Sequence, residues 1–315
     1  MKTIFIHSQK RLQKFKNPVV AIGIFDGIHR GHQVLIKKTI ARAKKINGTS
    51  IVLTFFPHPV QVLNKHFDLS LLVSLPHRLR LIEEMGIDVC VVVRFTRRFA
   101  TMTAEDFVKK YLSRLLGAHE VVIGRNFHFG KNRNGNSELL RAASGRYDIK
   151  VHALKSVCYQ KSIISSSLLR SLIKGGDLSL ARKYLGRFVS ISGYVVHGDQ
   201  RGRRLGVPTA NINQGQEILP PTGVYIVDVF CLGKLWQGVA NIGYRPSFKR
   251  NKKRNIEVHI FNFNKNIYGK GIEIRFLKRI RDEKRFLLPE HLCDQIELDK
   301  SEARKYFSRN KKHQT

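Results

Sequence analysis

Cysteine is scarce in this chain of 315 residues, and the four that occur, Cys90, Cys158, Cys231 and Cys293, lie far apart. The chain has no Cys-x-x-Cys pair, so the pattern indicates neither a zinc site nor a disulfide framework. A reducing compartment is the simplest setting for such scattered cysteines. We therefore expect a cytoplasmic protein.

Long apolar runs are missing as well. No run of about 18 apolar residues occurs, which excludes a conventional membrane-spanning helix. The first ten residues, MKTIFIHSQK, lack the longer apolar core and the small-residue cleavage site of a secretory signal. Hydrophobic residues still make up 42% of the chain, enough for ordinary globular cores. At this length, two domains are the usual expectation.

Acidic residues are few: 23 Asp and Glu face 57 Lys and Arg, and the formal net charge is +34. Such a balance is typical of proteins that meet nucleic acid, acidic membranes or phosphorylated substrates, and of proteomes rich in Lys and Arg. The basic residues are spread along the chain, with short clusters at 249–254 and 309–313. Because compact nucleic-acid-binding motifs are missing, we expect neither nucleic acid nor membrane as a partner. Phosphate esters alone do not account for so large an excess.

The first half of the chain alternates strand-like and helix-like segments. Four β-branched, apolar runs read as buried parallel strands, at 19–25, 51–56, 89–95 and 121–124. Helical patterns lie between them, at about 32–46, 76–86 and 104–116, and the last follows the capping pattern of Thr103 and Asp106. This alternation predicts an α/β, Rossmann-like domain, a parallel sheet with helices on both faces.

The second half has a different rhythm. Residues 166–185 predict two short helices broken at Gly175 and Gly176. Closely spaced strands with turn residues between them then follow Gly186, at 188–196, 223–232, 236–242, 256–263 and 271–280. This pattern predicts a small antiparallel β-barrel, closed by a C-terminal helix at about 288–308. We place the domain boundary near Gly186, which divides the chain into domains 1–186 and 187–315.

The first segment that points to chemistry is GIFDGIHRGHQ, residues 23–33, between a predicted strand and a predicted helix. Its glycines allow a tight turn and a close approach to a ligand. His29 and His32 are three residues apart, so a helix start places both on one face. A helix N-terminus has free N–H groups and partial positive charge, which suit phosphate. Two solvated histidines or a metal pair are the alternatives, but nothing nearby completes a tetrahedral metal site.

HRGH resembles the His-x-Gly-His signature of the nucleotidyltransferase superfamily, and the fuller segment resembles its FMN adenylyltransferase branch. Further resemblances to that branch follow in order: TFFPHP (54–59), MGID with VCVVVRF (85–95), AEDFV (104–108), GRNFHFGKNRNG (124–135) and ISSSLLR (164–170). Three departures from the branch are mild. Ser167 replaces the usual Thr, Leu169 the usual Ile, and Phe56 a common acidic residue.

The resemblance implies that an FMN phosphate oxygen attacks the α-phosphorus of ATP and that pyrophosphate leaves. His29 and His32 are then the catalytic residues that hold the ATP phosphates. The other ATP-binding residues implied are Gly23, Phe25, Asp26, Gly27, Asn126, Ser165, Ser166 and Arg170. The role of Asn126 stays open, because it either contacts nucleotide and metal or is a turn residue. Two further roles also stay open: Phe127 and Phe129 belong to the core or to flavin packing, and His58 is structural or ligand-binding.

The second such segment is GYVVHGDQRGRRLGVPTANI, residues 193–212, which resembles the signature of riboflavin kinase, with Val207 for a frequent Phe. The resemblance implies an ATP-phosphate loop at 197–206 and Mg²⁺ bound by Thr209 and Asn211. Hydroxyl and amide oxygens suit Mg²⁺. By itself, the sequence PTAN (208–211) would favour a β-turn in which the Asn side chain caps its own backbone. The implied ATP-binding residues here are Gly198, Arg203, Gly206, Pro208, Thr209 and Asn211.

GVANIGYRPSF (238–248), NIEVHIFNF (255–263) and YGKGIEIRFLKRIRDEKRF (268–286) continue the kinase resemblance, with Ser247 for Thr. It implies that Glu257 is the general base for the riboflavin 5′-hydroxyl. Strand alternation places Glu257 and His259 on one face. The alternative is a solvated carboxylate on a strand.

The resemblance covers about residues 18–305 and contains two unrelated nucleotide sites. It implies a bifunctional enzyme that makes FMN from riboflavin and FAD from FMN, with ATP as co-substrate and Mg²⁺ as cofactor in both steps. Two alternatives are an enzyme with one relic module and a basic RNA-binding or regulatory protein. The intact HRGH, PTAN and Glu257 argue against both. Self-association stays open.

Overall fold

The computed structural model describes residues 1–6, 12, 14–64, 69–160, 162–198, 207–244, 254–284, 286 and 288–310. Contacts divide the chain into two compact units. The N-terminal unit comprises Met1–Leu71 and Leu75–Ser166, and the barrel unit comprises Leu72–Ser74 and Ser167–Thr315. This division falls before the two short helices that precede Gly186. The boundary at Gly186 stays a prediction about which segments fold independently.

The N-terminal unit contains a parallel sheet of six strands in the order β1-β4-β3-β2-β5-β6. The strands are β1 (Lys2–Ile6), β2 (Val19–Ile22), β3 (Ser50–Phe56), β4 (Val89–Arg94), β5 (Glu120–Gly124) and β6 (Lys150–Leu154). From β2 the chain moves outward through β3 and β4, and it returns to the other side of β2 with β5. In open α/β sheets, ligands bind at the carboxyl ends of the strands where the order reverses in this way. The segment after β2 therefore lies at the expected position for a nucleotide.

Helices follow most of these strands. They are α1 (Arg30–Lys45), α2 (Pro59–Leu63), α3 (Leu75–Glu84), α4 (Arg97–Ala100), α5 (Ala104–Phe107), which continues as a π-helix (Val108–Leu115), and α6 (Ser137–Gly145). A 3₁₀ turn (Lys131–Arg133) and a two-stranded ribbon of β7 (Cys158–Tyr159) and β8 (Ser162–Ile163) complete the unit. The predicted cap at Thr103 is confirmed, since its hydroxyl accepts the Asp106 N–H at 3.1 Å.

The sheet is buried on both faces. Val19 and Val122 pack with Ala43 of α1 on one face. The neighbouring Val20 and Val121 belong to the larger core, which includes residues of α5, the π-helix and α6. Successive strand residues point to opposite faces, so helices cover both sides of the sheet. The α/β, Rossmann-like architecture predicted from the sequence is thereby confirmed.

Two short helices open the barrel unit: α7 (Ser166–Gly175), which belongs to the unit from Ser167 onward, and α8 (Leu178–Leu185). The predicted break is confirmed. Gly176 takes a φ of 85°, a left-handed conformation that suits glycine, and Asp177 then caps α8 through the Leu180 N–H at 2.9 Å. Gly186, with a φ of 72°, ends α8.

Six antiparallel strands form a closed barrel in the order β10-β13-β12-β11-β14-β9. They are β9 (Val189–Val196), β10 (Ala210–Asn213), β11 (Gly223–Cys231), β12 (Lys234–Tyr244), β13 (Arg254–Ile260) and β14 (Gly271–Arg281), and α9 (Pro289–Asn310) follows. The predicted barrel and C-terminal helix are confirmed. The sequence patterns missed β10, a short strand with two asparagines, although it closes the barrel between β9 and β13.

Helix α9 packs on the outside of the barrel. Its Ala303 and Phe307 contact a cluster that includes Ile226 of β11 and Phe261. Arg281 of β14 also binds Asp299 of α9 through two nitrogens, at 2.9 and 2.7 Å. Among the residues that the structure describes, no helix is long and apolar enough to cross a membrane.

Candidate active sites

The loop between β2 and α1 has an unusual backbone. Phe25, Gly27 and Ile28 all have positive φ values, of 54°, 86° and 41°. Only glycine adopts such values without strain, so the packing around Phe25 and Ile28 must maintain them. Phe25 is fully buried. An ideal Cβ on Gly23 would lie 3.2 Å from the Phe25 ring, so glycine at this position leaves room for that ring.

His29 caps the N-terminus of α1. Its Nδ1 accepts the backbone N–H of His32 at 3.3 Å. Nδ1 is therefore unprotonated, and a neutral His29 carries its proton on Nε2. The two imidazoles stack, with ring centroids 3.6 Å apart and planes 18° apart. The structure thus brings together the two histidines that the sequence places on one helix face.

His32 is half-buried, and its ring also meets the ring of Phe25 edge to face. Burial is the main reason that the pKa of His32 lies well below its ordinary value, and the charges of His29 and Arg78 lower that pKa further. The ring is therefore neutral near pH 7. Its Nδ1 is buried and has no hydrogen-bond partner among the described residues. A ligand group that bonds to this nitrogen would remove that deficit.

The start of α7 is bound to the same loop. The Ser166 hydroxyl donates to the Asp26 carbonyl at 3.0 Å, and the Asp26 side chain is only 1% exposed. Ser165 and Ser166 are half-buried. The predicted serines therefore lie beside the loop that carries His29. Arg170 lies one turn later on α7, in the barrel unit, and its phosphate-binding role stays a prediction.

No sequence motif pointed to Arg78, which lies on α3 and is 0% exposed. Its Nη1 donates to the Ile24 carbonyl at 2.9 Å and lies 3.3 Å from Thr54 Oγ1 and from the Phe55 carbonyl. Only one sequence signal was available. Arg78 lies three residues after Leu75, on the stripe of α3 whose other members are buried, namely Leu75, Leu81 and Ile82.

The remaining predicted residues of this unit lie on loops. Asn126 is exposed, and its amide donates to the Ser156 hydroxyl at 3.4 Å, so its role stays open. Phe127 and Phe129 stack with centroids 5.7 Å apart, and Phe129 reaches the core. His58 caps α2, since its Nδ1 accepts the Val60 N–H at 3.2 Å, and this bond favours the structural interpretation.

Glu257 occupies the centre of a polar row on the barrel. It lies on β13, opposite Asn211 of β10 and opposite Asn241 of β12. Residues opposite one another on antiparallel strands project to the same face, so these three side chains lie in one row. The neighbouring Ile256 and Val258 are fully buried and face the barrel interior. The row therefore lies on the outer face, where a substrate can approach.

Asn255 joins the predicted base to a predicted metal ligand. Its side-chain nitrogen donates to Asn211 Oδ1 at 3.0 Å and to Glu257 Oε1 at 3.1 Å. No sequence motif pointed to Asn255. The alternation that pairs Glu257 with His259 also places Asn255 on that face, so the signal was present.

Asn211 is 6% exposed, and its amide lies against the backbone of Gly198. An ideal Cβ on Gly198 would collide with the Asn211 amide, so only glycine fits without a shift.

Thr209 is half-buried and precedes Asn211 by two residues. A hydroxyl and an amide oxygen are donors of the kind that Mg²⁺ takes together with waters and substrate phosphates. The residues present therefore fit the ion. In the described part of the chain, no group of three or more His, Cys, Asp or Glu offers another metal site.

His259 fastens the PTAN segment to β13. Its Nδ1 donates to the Pro208 carbonyl at 2.9 Å. Burial is the main cause that lowers the pKa of His259, and the hydrogen bond to the Pro208 carbonyl opposes that shift. Of the predicted kinase residues, Arg203 and Gly206 lie outside the described residues.

Comparisons with known proteins match both halves of the chain to known families. The model of the FAD synthetase family matches residues 12–168, and the model of the riboflavin kinase family matches residues 185–307. A bifunctional riboflavin kinase/FMN adenylyltransferase of Buchnera aphidicola from Schizaphis graminum is 39% identical over 306 residues, 96% of this chain and 97% of that protein. The chain belongs to the family of bifunctional riboflavin kinase/FMN adenylyltransferases.

Two other relatives with that name are similar along nearly their whole length. The Bacillus subtilis protein is 39% identical over 99% of this chain and 100% of its own. The Escherichia coli K12 protein is 37% identical over 93% of this chain and 94% of its own. The FAD synthetase match contains His29, His32 and Ser166, and the riboflavin kinase match contains Asn211 and Glu257.

A solved structure from Streptococcus pneumoniae shares the fold. It is 32% identical, has a TM-score of 0.85, and covers 96% of this chain and 99% of its own. It is described as a macrolide-efflux protein. That activity belongs to the description of the pneumococcal protein, and the likeness supports the fold of this family member.

Proposed function

We propose that the N-terminal unit carries the FMN adenylyltransferase site and that the barrel unit carries the riboflavin kinase site. The enzyme phosphorylates riboflavin to FMN with ATP and adenylylates FMN to FAD with a second ATP. The hydrogen-bonded set of Asn211, Asn255 and Glu257 carries the kinase assignment. The stacked pair of His29 and His32 supports the adenylyltransferase assignment.

In the adenylyltransferase reaction, an FMN phosphate oxygen forms a bond to the α-phosphorus of ATP. The bond between that phosphorus and the bridging oxygen breaks, and pyrophosphate leaves with the electron pair. Reactions of this kind depend on positioning and on neutralising charge. His29 donates through Nε2, and the N-terminus of α1 adds backbone N–H groups and positive potential. Ser165, Ser166 and Arg170 bind the triphosphate in the same proposal.

In the kinase reaction, the Glu257 carboxylate accepts the proton of the riboflavin 5′-hydroxyl. The hydroxyl oxygen then forms a bond to the γ-phosphorus of ATP, and ADP leaves. Asn255 holds Oε1 of Glu257, which restricts the rotation of the carboxylate. A base held in one orientation transfers the proton without first having to reorient.

Mg²⁺ as the cofactor of both steps is part of the proposal. Thr209 and Asn211 would hold the ion in the barrel unit, and it would neutralise charge on the transferred phosphoryl group. Asn255 orients the Asn211 amide by donating to its oxygen. A carbonyl oxygen has two lone pairs, so an oxygen that accepts one hydrogen bond can also bind a metal ion. In the N-terminal unit, Asn126 is the candidate for contact with metal and nucleotide.

The cytoplasm as the location, and riboflavin, FMN and ATP as the partners, complete the proposal. The scattered cysteines support the location. Nucleic acid and membrane are not expected as partners. Size-exclusion chromatography with light scattering would measure self-association directly.

A direct experiment tests the assignment of units. The full chain and a fragment of residues 187–315 are each incubated with riboflavin, ATP and Mg²⁺, and the flavins are separated by chromatography. We expect the full chain to make FMN and then FAD, and the fragment to make only FMN. A folded fragment without kinase activity, verified by circular dichroism, would overturn the assignment of the kinase to residues 187–315 alone.

A further inference from the structure

A buried guanidinium group lies behind the nucleotide loop and takes no direct part in either proposed reaction. Arg78 is 0% exposed, yet its Nε and Nη2 have no hydrogen-bond partner among the described residues. A buried cation with incomplete hydrogen bonding is costly, so its retention needs a reason. Its surroundings in the N-terminal unit indicate what that reason is.

The first indication is the geometry of the loop. The Ile24 carbonyl accepts two hydrogen bonds, one from Arg78 Nη1 at 2.9 Å and one from the Thr54 hydroxyl at 3.0 Å. Ile24 directly precedes Phe25, the first residue of the loop with a positive φ. Arg78 also joins this carbonyl to the Phe55 carbonyl of β3. The guanidinium therefore ties the strained turn to the end of the neighbouring strand.

The second indication is the charge around the two histidines. The positive charge of Arg78 contributes to the lowered pKa of His32, together with burial and His29. The buried Asp26 carboxyl opposes the effect of burial on Arg78, and Cys90 does so to a lesser degree. Asp26 and Cys90 are thus the titratable groups that act on Arg78, and Arg78 and His29 are the charged groups that act on His32. The positive charge on this side of the loop thus resides on a fixed guanidinium, while the imidazole stays neutral.

We propose that Arg78 is a positioning residue for FMN adenylylation, whose buried guanidinium holds the loop at Ile24 and sets the charge behind His29 and His32. The inference rests on the proposed phosphate-binding role of those histidines. Arg78 reaches the ligand only through the loop, because it is fully covered. Positioning of this kind is worth much in rate, since displacements of about 1 Å can cost roughly 10²-fold.

Two substitutions separate its effects on geometry and on charge. Arg78→Met keeps much of the length and removes the charge and all donors. Arg78→Lys keeps the charge and loses the guanidinium geometry. Arg80→Met is the control, because Arg80 lies on the same helix, has a partly exposed side chain and forms an ion pair with Glu84 at 3.7 Å. Kinase activity in each sample reports on the barrel unit.

We expect Arg78→Met to lower kcat/KM for FAD synthesis by roughly 10²-fold and to leave FMN synthesis unchanged. Removal of a nearby positive charge raises the pKa of His32, so the acid limb of the pH profile of kcat/KM should move to higher pH. Arg78→Lys should lose activity less and keep the acid limb in place. Arg80→Met should match the parent in both measurements.

A merely structural role predicts a different result. FAD synthesis would then fall only in proportion to the folded fraction measured by thermal unfolding, with an unmoved acid limb in every variant, and that result would overturn the proposal. If Arg78→Met does not fold, the Arg78→Lys variant tests the positioning role by itself. Its folded form must show a raised KM for ATP or a lowered kcat, and parent values would reject the role.

Substitution of the two histidines provides an independent test of the loop. If the double variant of His29 and His32 to alanine keeps FAD synthesis, the proposed function of the loop has failed. If that variant is inactive and both Arg78 variants behave as the parent does, only the inference about Arg78 has failed.

Discussion

The Nδ1 atom of His29 accepts the backbone N–H of His32, while the two rings stack 3.6 Å apart. One side chain thus both caps a helix and presents its other ring nitrogen as a donor. These two roles can be separated, because asparagine is also a good capping residue and has no imidazole.

For the first prediction, His29 is replaced by asparagine and by alanine. We expect both variants to lose FAD synthesis and keep FMN synthesis. The alanine variant should also lose roughly 0.5–2 kcal/mol of stability with the cap, and the asparagine variant should not. Flavin chromatography and denaturant unfolding measure the two effects. An asparagine variant with full FAD synthesis would show that His29 serves only as a cap.

The second prediction concerns the proposed kinase base. Glu257→Gln keeps the shape and an oxygen that can accept from Asn255, and it removes the ability to take a proton at neutral pH. General-base assistance is commonly worth roughly 10²–10⁴-fold, so kinase kcat should fall within that range, with a much smaller change in KM for riboflavin.

FAD synthesis from supplied FMN is the internal control for Glu257→Gln. Because we assign that reaction to the other unit, it should be nearly unchanged and should report that the sample is folded. If kinase kcat stays within a few-fold of the parent, the carboxylate is a solvated strand residue and not the base.

The third prediction tests the metal ligand through the glycine that lies against it. Gly198→Ala places a methyl group where the Asn211 amide now lies, so the amide must move. We expect the Mg²⁺ concentration for half-maximal kinase activity to rise, by roughly 10–100-fold, as for other residues that orient metal ligands. Asn211→Ala should raise it as well.

A double-mutant cycle makes this test specific. If Gly198→Ala acts through Asn211, the double variant should be no worse than Asn211→Ala alone. Gly271→Ala is the control, because a methyl group there meets open space. Additive effects of the two substitutions would indicate that Gly198 acts by another route.

The fourth prediction concerns an ion cluster at the amino end of β5, in which a buried carboxylate meets two partly exposed basic side chains. Glu120 is 2% exposed, accepts from Arg42 Nε at 2.7 Å, and lies 2.8 Å from His152 Nε2. The hydrogen bond and charge of Arg42 are the main cause that lowers the pKa of Glu120 to about 2. The ionised carboxylate thus stabilises the fold fully at pH values above the ordinary pKa of glutamate. This contribution is lost as the pH falls from about 4.5 to about 2.

Glu120→Gln removes that contribution. We expect a loss of at most about 3 kcal/mol at pH 7, reduced by solvent screening because Arg42 and His152 are partly exposed, and the difference from the parent should shrink below pH 4.5 and become small near pH 2. Urea unfolding across this pH range is the measurement. Both activities of the folded variant should be unchanged, since Glu120 begins β5 and the nucleotide loop lies at the carboxyl edge of the sheet. A pH-independent difference would show that lost packing, and not ionisation, is the cause.

Features that depend on neighbours in the chain were well predicted from the sequence. The shared helix face of His29 and His32, the cap at Thr103 and the helix break at Gly176 all follow from short-range geometry. The sequence patterns missed β10, because four residues with two polar side chains have no strand pattern of their own. That strand exists because β9 and β13 pair with it on either side.

The sequence by itself determined the two kinds of unit and the local motifs on them, because hydrophobic periodicity and turn residues act over a few positions. Only the tertiary structure decided that Asn255 bridges Asn211 and Glu257, and that Arg78 of α3 supports a loop 54 residues before it in the chain. It also grouped α7 and α8 with the barrel in contacts. Such relations depend on the pairing of distant strands and on the packing of helices against sheets, which no local pattern encodes.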